Sequence, residues 1–175
     1  LVSSRGLGDV YKRQDNVELY IPPKKGKSHV LRIIRELLEF KSKSKKTDIN
    51  VPLKFVSNIL KNRSIAFIIS DFVSKDYSNS LKIFSSKHDV TGIRVYDQTE
   101  EIIPNLGVID INDNETGQRL TVNTGSKIVR KKYAEYYNLK RMEFTENFKM
   151  SGSGIIECNT QDDYQKKLLK YFKSR

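Results

Sequence analysis

The feature that most constrains this chain is an apolar run, Ile65–Ile69, that stops at Ser70 and a carboxylate, Asp71. Five consecutive apolar residues rich in β-branched side chains predict a strand covered on both faces, as in a parallel sheet. Asp71 would then lie at the carboxyl end of that strand, the edge at which open α/β sheets hold ligands and ions. Alternatively Asp71 would cap the next helix, and the run by itself leaves both roles open.

Strand and helix patterns alternate on either side of this run. Period-two alternation predicts strands, whereas apolar residues three and four apart predict helices that pack one face inward. The predicted elements up to residue 97 are a strand Val17–Ile21 stopped by Pro22 and Pro23, a helix capped by Ser28, a helix after Asp48 with Pro52 in its first turn, the strand before Asp71, a helix with Tyr77, Leu81 and Phe84 inward, and a strand Val90–Tyr96 followed by Asp97.

The second half departs from simple alternation. Leu106–Ile111 and Gln118–Val122 flank a polar turn and predict a β-hairpin added at the edge of the sheet. A long amphipathic helix from Ser126 to Met150, a short strand containing Cys158 and a last helix opened by Asp162 or Asp163 follow. Helices between short buried strands predict an α/β fold, a doubly wound, mostly parallel sheet of the Rossmann-like kind.

Charge is unevenly placed along the chain. Of the net charge of +11, +7 falls between Lys24 and Lys46, where nine Lys or Arg residues face two Glu residues. Such a patch attracts nucleic acid, acidic lipid or an acidic protein partner over long range. Its densest part, Lys41–Lys46, is more typical of a solvated loop, and no aromatic residues lie among these lysines to stack on bases.

Several classes of function lack their usual signature. The sequence has no glycine-rich phosphate loop, no nucleophile elbow and no cluster of Cys and His ligands. His29 and His88 are isolated and are interpreted as surface or boundary histidines, and Cys158 as a small buried strand residue. A single Cys, with no run near the roughly 18 apolar residues of a membrane span, predicts a cytoplasmic protein without a transmembrane segment.

The first fourteen residues continue none of these patterns. Leu1–Gln14 has no initiator Met, lacks the features of a secretory signal, and resembles the translated adapter sequence found at the ends of assembled sequencing reads. We therefore predict that residues 1–14 are not native. Residues 15–175 are then a single partial domain, truncated at its N-terminus.

Several motifs, in order and spacing, resemble a known bacterial family. They are Ile21–Lys27, Arg35–Leu38, Lys46–Ile49, Ile69–Phe72, Ile93–Asp97 and Glu115–Gly117. Together they make residues 15–175 similar to the C-terminal half of the domain-of-unknown-function 58 family, whose members resemble von Willebrand factor A domains. The resemblance implies a von Willebrand A-like fold.

The resemblance also implies a metal-ion-dependent adhesion site. In von Willebrand A domains an Asp-x-Ser-x-Ser motif, a Thr from a later loop and an Asp after the fourth strand form this site. Thr47 matches that Thr and Asp71 matches that Asp. Their hydroxyl and carboxylate oxygens suit Mg²⁺ or another divalent cation. Because the Asp-x-Ser-x-Ser motif would lie upstream of Asp15, we expect the full-length protein, and not this fragment alone, to hold the ion.

For function, the resemblance implies a non-enzymatic protein-interaction module that binds a MoxR-type AAA+ ATPase through the metal-site face. Asp97 and the basic loop before Thr47 are candidate partner-binding residues; the loop's lysines are Lys41, Lys43, Lys45 and Lys46. One alternative is a nucleic-acid-binding module that uses the Lys24–Lys46 patch. Another is a metal-dependent phosphohydrolase or nuclease with Asp71 and Asp97 at adjacent strand ends.

Overall fold

The computed structural model describes residues 2–3, 7–13, 16–40, 48–112 and 119–174. The predicted alternation of strands and helices is present along the chain. The elements are β1 Val2–Ser3, β2 Leu7–Arg13, β3 Asn16–Lys24, α1 Lys27–Glu39, α2 Asn50–Ile59, β4 Ile65–Ser70, α3 Ser78–Lys87, β5 Asp89–Tyr96, α4 Gln98–Glu101, β6 Val108–Asn112, β7 Arg119–Asn123, α5 Lys127–Met150, β8 Gly154–Asn159 and α6 Tyr164–Lys173.

The main sheet has the strand order β3-β2-β1-β4-β5-β8. Its β4, β5 and β8 strands are parallel, with Ile69 paired to Ile93 and Ile93 paired to Ile156. The strands before β4 join antiparallel, and β1 pairs with β4 through Val2 and Ser3. The predicted α/β class, with a parallel core, is confirmed. The β1 and β2 strands, within the segment predicted to be non-native, lie between β4 and β3.

One face of the parallel strands is closely covered by α2, α3 and α5. Ala66 and Val90 point into this face from the sheet, and each is at most 2% exposed. Phe144 and Phe148 of α5 are fully buried against it, next to Gly92. Gly92 has no side chain to hold the aromatic rings away from β5, and this absence lets α5 approach the sheet. Phe144 and Phe148 are therefore core residues of α5.

The opposite face carries α6. The hydroxyl of Tyr171 lies 3.1 Å from Thr91 Oγ1, and the ring of Phe172 meets Phe67 edge-on at 5.8 Å between centroids. Ile156 and Cys158 are buried beneath the helix. The interpretation of Cys158 as a buried strand residue is confirmed. Coverage decreases towards β4, where Ile65 and Ile69 are about half exposed.

Two predicted boundaries near the N-terminus are wrong. The β3 strand continues through Pro22 and Pro23 to Lys24, because it is the edge strand, where a missing backbone N–H is tolerated. A register shift in its pairing with β2 falls at the two prolines. Ser28 lies inside α1 rather than at its cap. The helix begins after Gly26, whose φ of 106° suits glycine.

The hairpin and the histidines also differ from expectation. β6 and β7 form a separate two-stranded sheet, because β8 rather than the hairpin lies beside β5 in the main sheet. Their turn, 113–118, lies outside the described residues. His29 and His88 are both buried rather than at the surface. His88 fills the corner between α3 and β5, where its ring stacks on Phe84 and its Nδ1 accepts the Ser64 N–H at 3.3 Å.

Candidate functional site

Asp71 lies at the carboxyl end of β4, as predicted, and its side chain is exposed. Its Oδ1 accepts hydrogen bonds from the Val73 N–H at 3.1 Å and from the Ser70 hydroxyl at 3.2 Å. The alternative role as a helix cap is wrong, because α3 begins seven residues later. Asp76 meets that helix instead: its Oδ1 accepts the Ser78 N–H at 2.9 Å, and this hydrogen bond lowers the pKa of Asp76.

The residue after Asp71 has a strained backbone. Phe72 has a φ of 60°, in the left-handed region that side chains other than Gly rarely adopt. Its ring is 2% exposed and packs 4.3 Å from Phe144 and 5.3 Å from Phe148, centroid to centroid. This packing offsets the local cost, which is on the order of 1–3 kcal/mol. The buried ring thus turns the chain sharply and leaves the Asp71 carboxylate facing solvent.

Thr47, the other residue matched to the adhesion site, lies outside the described residues, as do Lys41, Lys43, Lys45 and Lys46. The residues directly after Thr47 are placed. The Ile49 N–H donates to Ser74 Oγ at 3.4 Å, and Asn50 Nδ2 donates to the Asp76 carbonyl at 2.8 Å. These two hydrogen bonds tie the start of α2 to the loop that follows Asp71.

Asp97 lies at the carboxyl end of β5, the strand next to β4. Its Oδ2 accepts the Thr160 hydroxyl at 2.9 Å, from the loop after β8. A polar cleft of about 380 Å³ lies between the ends of β5 and β8. Its lining residues are Tyr96, Gln98, Glu101, Asn159, Gln161 and Asp162. Neither Asp97 nor Asp71 is among them.

The donor set for a metal ion is small in the described part of the chain. No group of three or more His, Cys, Asp or Glu side chains is arranged there to hold an ion. Asp71 brings one carboxylate, with the Ser70 hydroxyl beside it, whereas Mg²⁺ requires about six oxygen ligands, several of them usually water. These residues alone do not form a metal centre.

Sequence reasoning missed an ion cluster around a buried arginine behind this edge. Arg94 of β5 is 3% exposed, and its Nη2 lies 2.9 Å from Glu101 Oε1. Its Nη1 lies 3.6 Å from Glu157 Oε2, and the Nε of Arg141 lies 2.9 Å from the same oxygen. The guanidinium of Arg94 also stacks on Tyr96. A charged residue between Ile93 and Val95, in the interior of β5, was the available signal.

Two solved structures share this architecture. An aerotolerance-related membrane protein from Bacteroides fragilis NCTC 9343 aligns with 97% of this chain and 80% of its own, at a TM-score of 0.53 and 14% identity. The conserved hypothetical protein BatB from Bacteroides thetaiotaomicron aligns with 97% of this chain and 78% of its own, at a TM-score of 0.56 and 12% identity. The likeness shows the fold, which is von Willebrand A-like. No described helix is both long and apolar enough to cross a bilayer.

The sequence relatives are uncharacterized proteins of mycobacteria. MAV169 of Mycobacterium avium is 25% identical over 66% of this chain and 68% of its own length. Rv1480 of Mycobacterium tuberculosis is 20% identical over 89% of this chain, which spans about half (50%) of that relative. The family model described as "Protein of unknown function DUF58" matches residues 6–143, and its match thus begins within the first fourteen residues. Since that match covers more than half of the 175 residues, the chain belongs to the DUF58 family.

Proposed function

We propose that this chain is a non-enzymatic protein-interaction module that acts in the cytoplasm. The observation that carries the proposal is the exposed Asp71 carboxylate at the end of β4, held outward by the strained and buried Phe72. Strain of this kind is retained where the surrounding packing fixes a functional position. The von Willebrand A-like fold supports the same reading, although fold alone does not give function.

In the full-length protein, we further propose, binding depends on a divalent cation. Asp71 would supply a carboxylate and Thr47 a hydroxyl, with the remaining ligands from an Asp-x-Ser-x-Ser segment and water. The hydrogen bonds between the start of α2 and the loop after Asp71 support this pairing, because they hold Ile49 and Asn50, two and three residues after Thr47, at that loop. An acidic side chain of the partner would complete the coordination.

The proposed partner is a MoxR-type AAA+ ATPase. In the sequence-based interpretation, Asp97 and the lysines that precede Thr47 flank the sheet edge at Asp71. They would contact the partner around the metal ion. Long-range attraction between the basic loop and an acidic surface would increase the rate of association.

The test is a binding measurement between the full-length protein and the ATPase, with Mg²⁺ and after chelation. We expect chelation to weaken binding by at least about tenfold, and Asp71→Asn to weaken it to the same level in Mg²⁺. Asp89→Asn, at the opposite end of the sheet, is the matched control and should bind like the unaltered protein. The Asp71→Asn variant should no longer respond to chelation.

Binding that is undiminished after chelation would contradict the metal-bridged version. If the affinity also fell steeply with salt and extended to nucleic acid, the Lys24–Lys46 patch would be the better explanation. Hydrolysis of a phosphate ester that requires Mg²⁺ and disappears in Asp71→Asn, but persists when the loop lysines are replaced, would overturn the non-enzymatic assignment.

A further inference from the structure

The face of the sheet that carries α6 is incompletely covered at β4. The side chains of Ile65, Phe67 and Ile69 alternate onto this face, as the contact of Phe67 with α6 shows. Phe67 is partly covered by Phe172, whereas Ile65 is 48% exposed and Ile69 is 56% exposed. The run Ile65–Ile69, which the sequence predicts to be covered on both faces, is therefore partly exposed on the face that carries α6.

The open area has the shape of a step beside a helix. A helix that packs on a sheet lies about 10 Å above it, so α6 forms a wall next to the lower surface of β4. Leu169 and Phe172 are three residues apart on α6 and thus share one side of the helix. They are 60% and 49% exposed. We call the area formed by Ile65, Phe67, Ile69, Leu169 and Phe172 the β4 recess.

The upper rim of the recess is basic. Lys166 and Lys173 lie three residues before and four residues after Leu169, so all three share one side of α6. Together with Lys170 and Ser174 they line a shallow cleft of about 450 Å³ around Leu169. Lys166 makes an exposed ion pair with Asp163 at 3.2 Å, which is a weak constraint at 85% side-chain exposure.

We propose that the β4 recess binds an amphipathic α-helix of a partner protein, with Asp or Glu side chains along one border of its apolar face. The floor and wall would bury the apolar face, and the lysines on the rim would pair with the acidic border. This site goes beyond the proposed function, because it uses the face of the sheet rather than the edge at Asp71 and needs no metal ion.

Shape and charge favour such a helix over other occupants. A lipid surface is contacted by protruding apolar residues, whereas Ile65 and Ile69 lie one layer below α6. The α6 helix carries four lysines and no acidic residue, so a second copy packed through its own α6 would place lysines against Lys166 and Lys173. An acidic helix meets neither obstacle.

The experiment measures fluorescence anisotropy of a labelled synthetic helix, about 18 residues or five turns long, made of Leu, Ala and Glu with an acidic border. One comparison peptide has the same composition rearranged to period two, and another has Lys in place of Glu. We expect the acidic helix to bind, and both comparison peptides to bind at least about tenfold more weakly. Chelation should change nothing, which separates this site from the metal-dependent one.

Variants then locate the site. Ile69→Ser should weaken binding of the acidic helix at least about tenfold, whereas Ile83→Ser on α3, a residue of similar exposure (51%), should leave it unchanged. The double variant Lys166→Glu and Lys173→Glu should reverse the preference towards the Lys-bearing peptide. Thermal unfolding would show that each variant remains folded.

Three results would overturn the proposal. Equal binding of the acidic helix and its period-two rearrangement would show that no helical face is recognised. Self-association that Ile69→Ser abolishes would assign the recess to a second copy. Binding to vesicles of anionic and neutral phospholipid that Ile69→Ser abolishes, without binding of the helix, would assign it to a membrane surface.

Discussion

The two faces of the parallel strands differ in how completely they are covered. On one face α2, α3 and α5 bury aromatic rings such as Phe144 and Phe148 to full exclusion of solvent. On the other, α6 covers β8 and β5 but leaves Ile65 and Ile69 about half exposed. The comparison separates a closed face, which supplies stability, from an open face, on which apolar side chains meet solvent.

The largest expected difference between the faces is in how much the free energy of unfolding falls when one aromatic side chain is removed. Phe148→Ala should lower the free energy of unfolding by about 3–5 kcal/mol, because it leaves a cavity in a closed core. Phe172→Ala, on the open face, should cost about 1 kcal/mol or less, since the ring is already 49% exposed. Urea unfolding of both variants measures this; equal losses would show that the open face is packed as tightly as the covered one.

A smaller contrast involves two glycines on neighbouring strands. A Cβ at Gly92 would lie 2.5 Å from Phe148 Cε1 and 2.9 Å from Phe144 Cε2, within a core that cannot yield. Gly92→Ala should therefore cost about 1–3 kcal/mol. A Cβ at Gly154 would meet the hydroxyl of Tyr171 instead, at the end of a side chain on α6.

Because Tyr171 can move outward on the open face, we expect Gly154→Ala to cost less than Gly92→Ala. Adding Tyr171→Phe, which removes the obstructing hydroxyl, should recover part of the Gly154→Ala loss in urea unfolding. The same addition should not help Gly92→Ala. Recovery in neither background would mean that the strand itself, rather than the helix, resists the extra methyl group.

The fold was predictable where periodicity and burial agree. The run Ile65–Ile69 identified β4, and the inward positions Leu81 and Phe84 identified α3, because apolar spacing reports directly on which side is buried. Which strands pair with each other was harder to predict from the sequence. Nothing local in residues 106–123 shows whether a hairpin joins the main sheet or stands apart, since that depends on which strand lies beside β5.

At the candidate site, the sequence predicted the position of Asp71 but not the contacts that hold it there. The end of β4 placed Asp71 correctly, but the strained φ of Phe72 depends on distant rings in α5 that share no local pattern with it. Arg94 was visible as a charge in an apolar strand, whereas its partner Glu157 lies 63 residues later in the chain. Long-range ion pairs of this kind cannot be read from spacing along one element.

The smallest expected difference is the response of the two faces to acid. His88 packs on Phe84 at the covered face, and burial lowers its pKa below the usual 6.5, with the nearby Lys87 adding to the shift. The unfolded chain therefore binds this proton more readily than the folded one. The stability that His88 contributes is present above about pH 6.5 and is lost as the pH falls through and below that value.

At the base of α6 the relevant group is Asp162, whose pKa is lowered below 3.8, first by its hydrogen bond to Lys167 and then by the Asn159 N–H. Its contribution is present above about pH 3.8 and lost only at lower pH. Between about pH 7.5 and 5, the urea concentration at the midpoint of unfolding should therefore fall. Protonation of His88, on the covered face, should cause this fall. His88→Asn keeps an acceptor for the Ser64 N–H and should reduce the slope, whereas Lys167→Met should leave it unchanged. A slope that persists in His88→Asn would place the acid-sensitive group elsewhere in the protein.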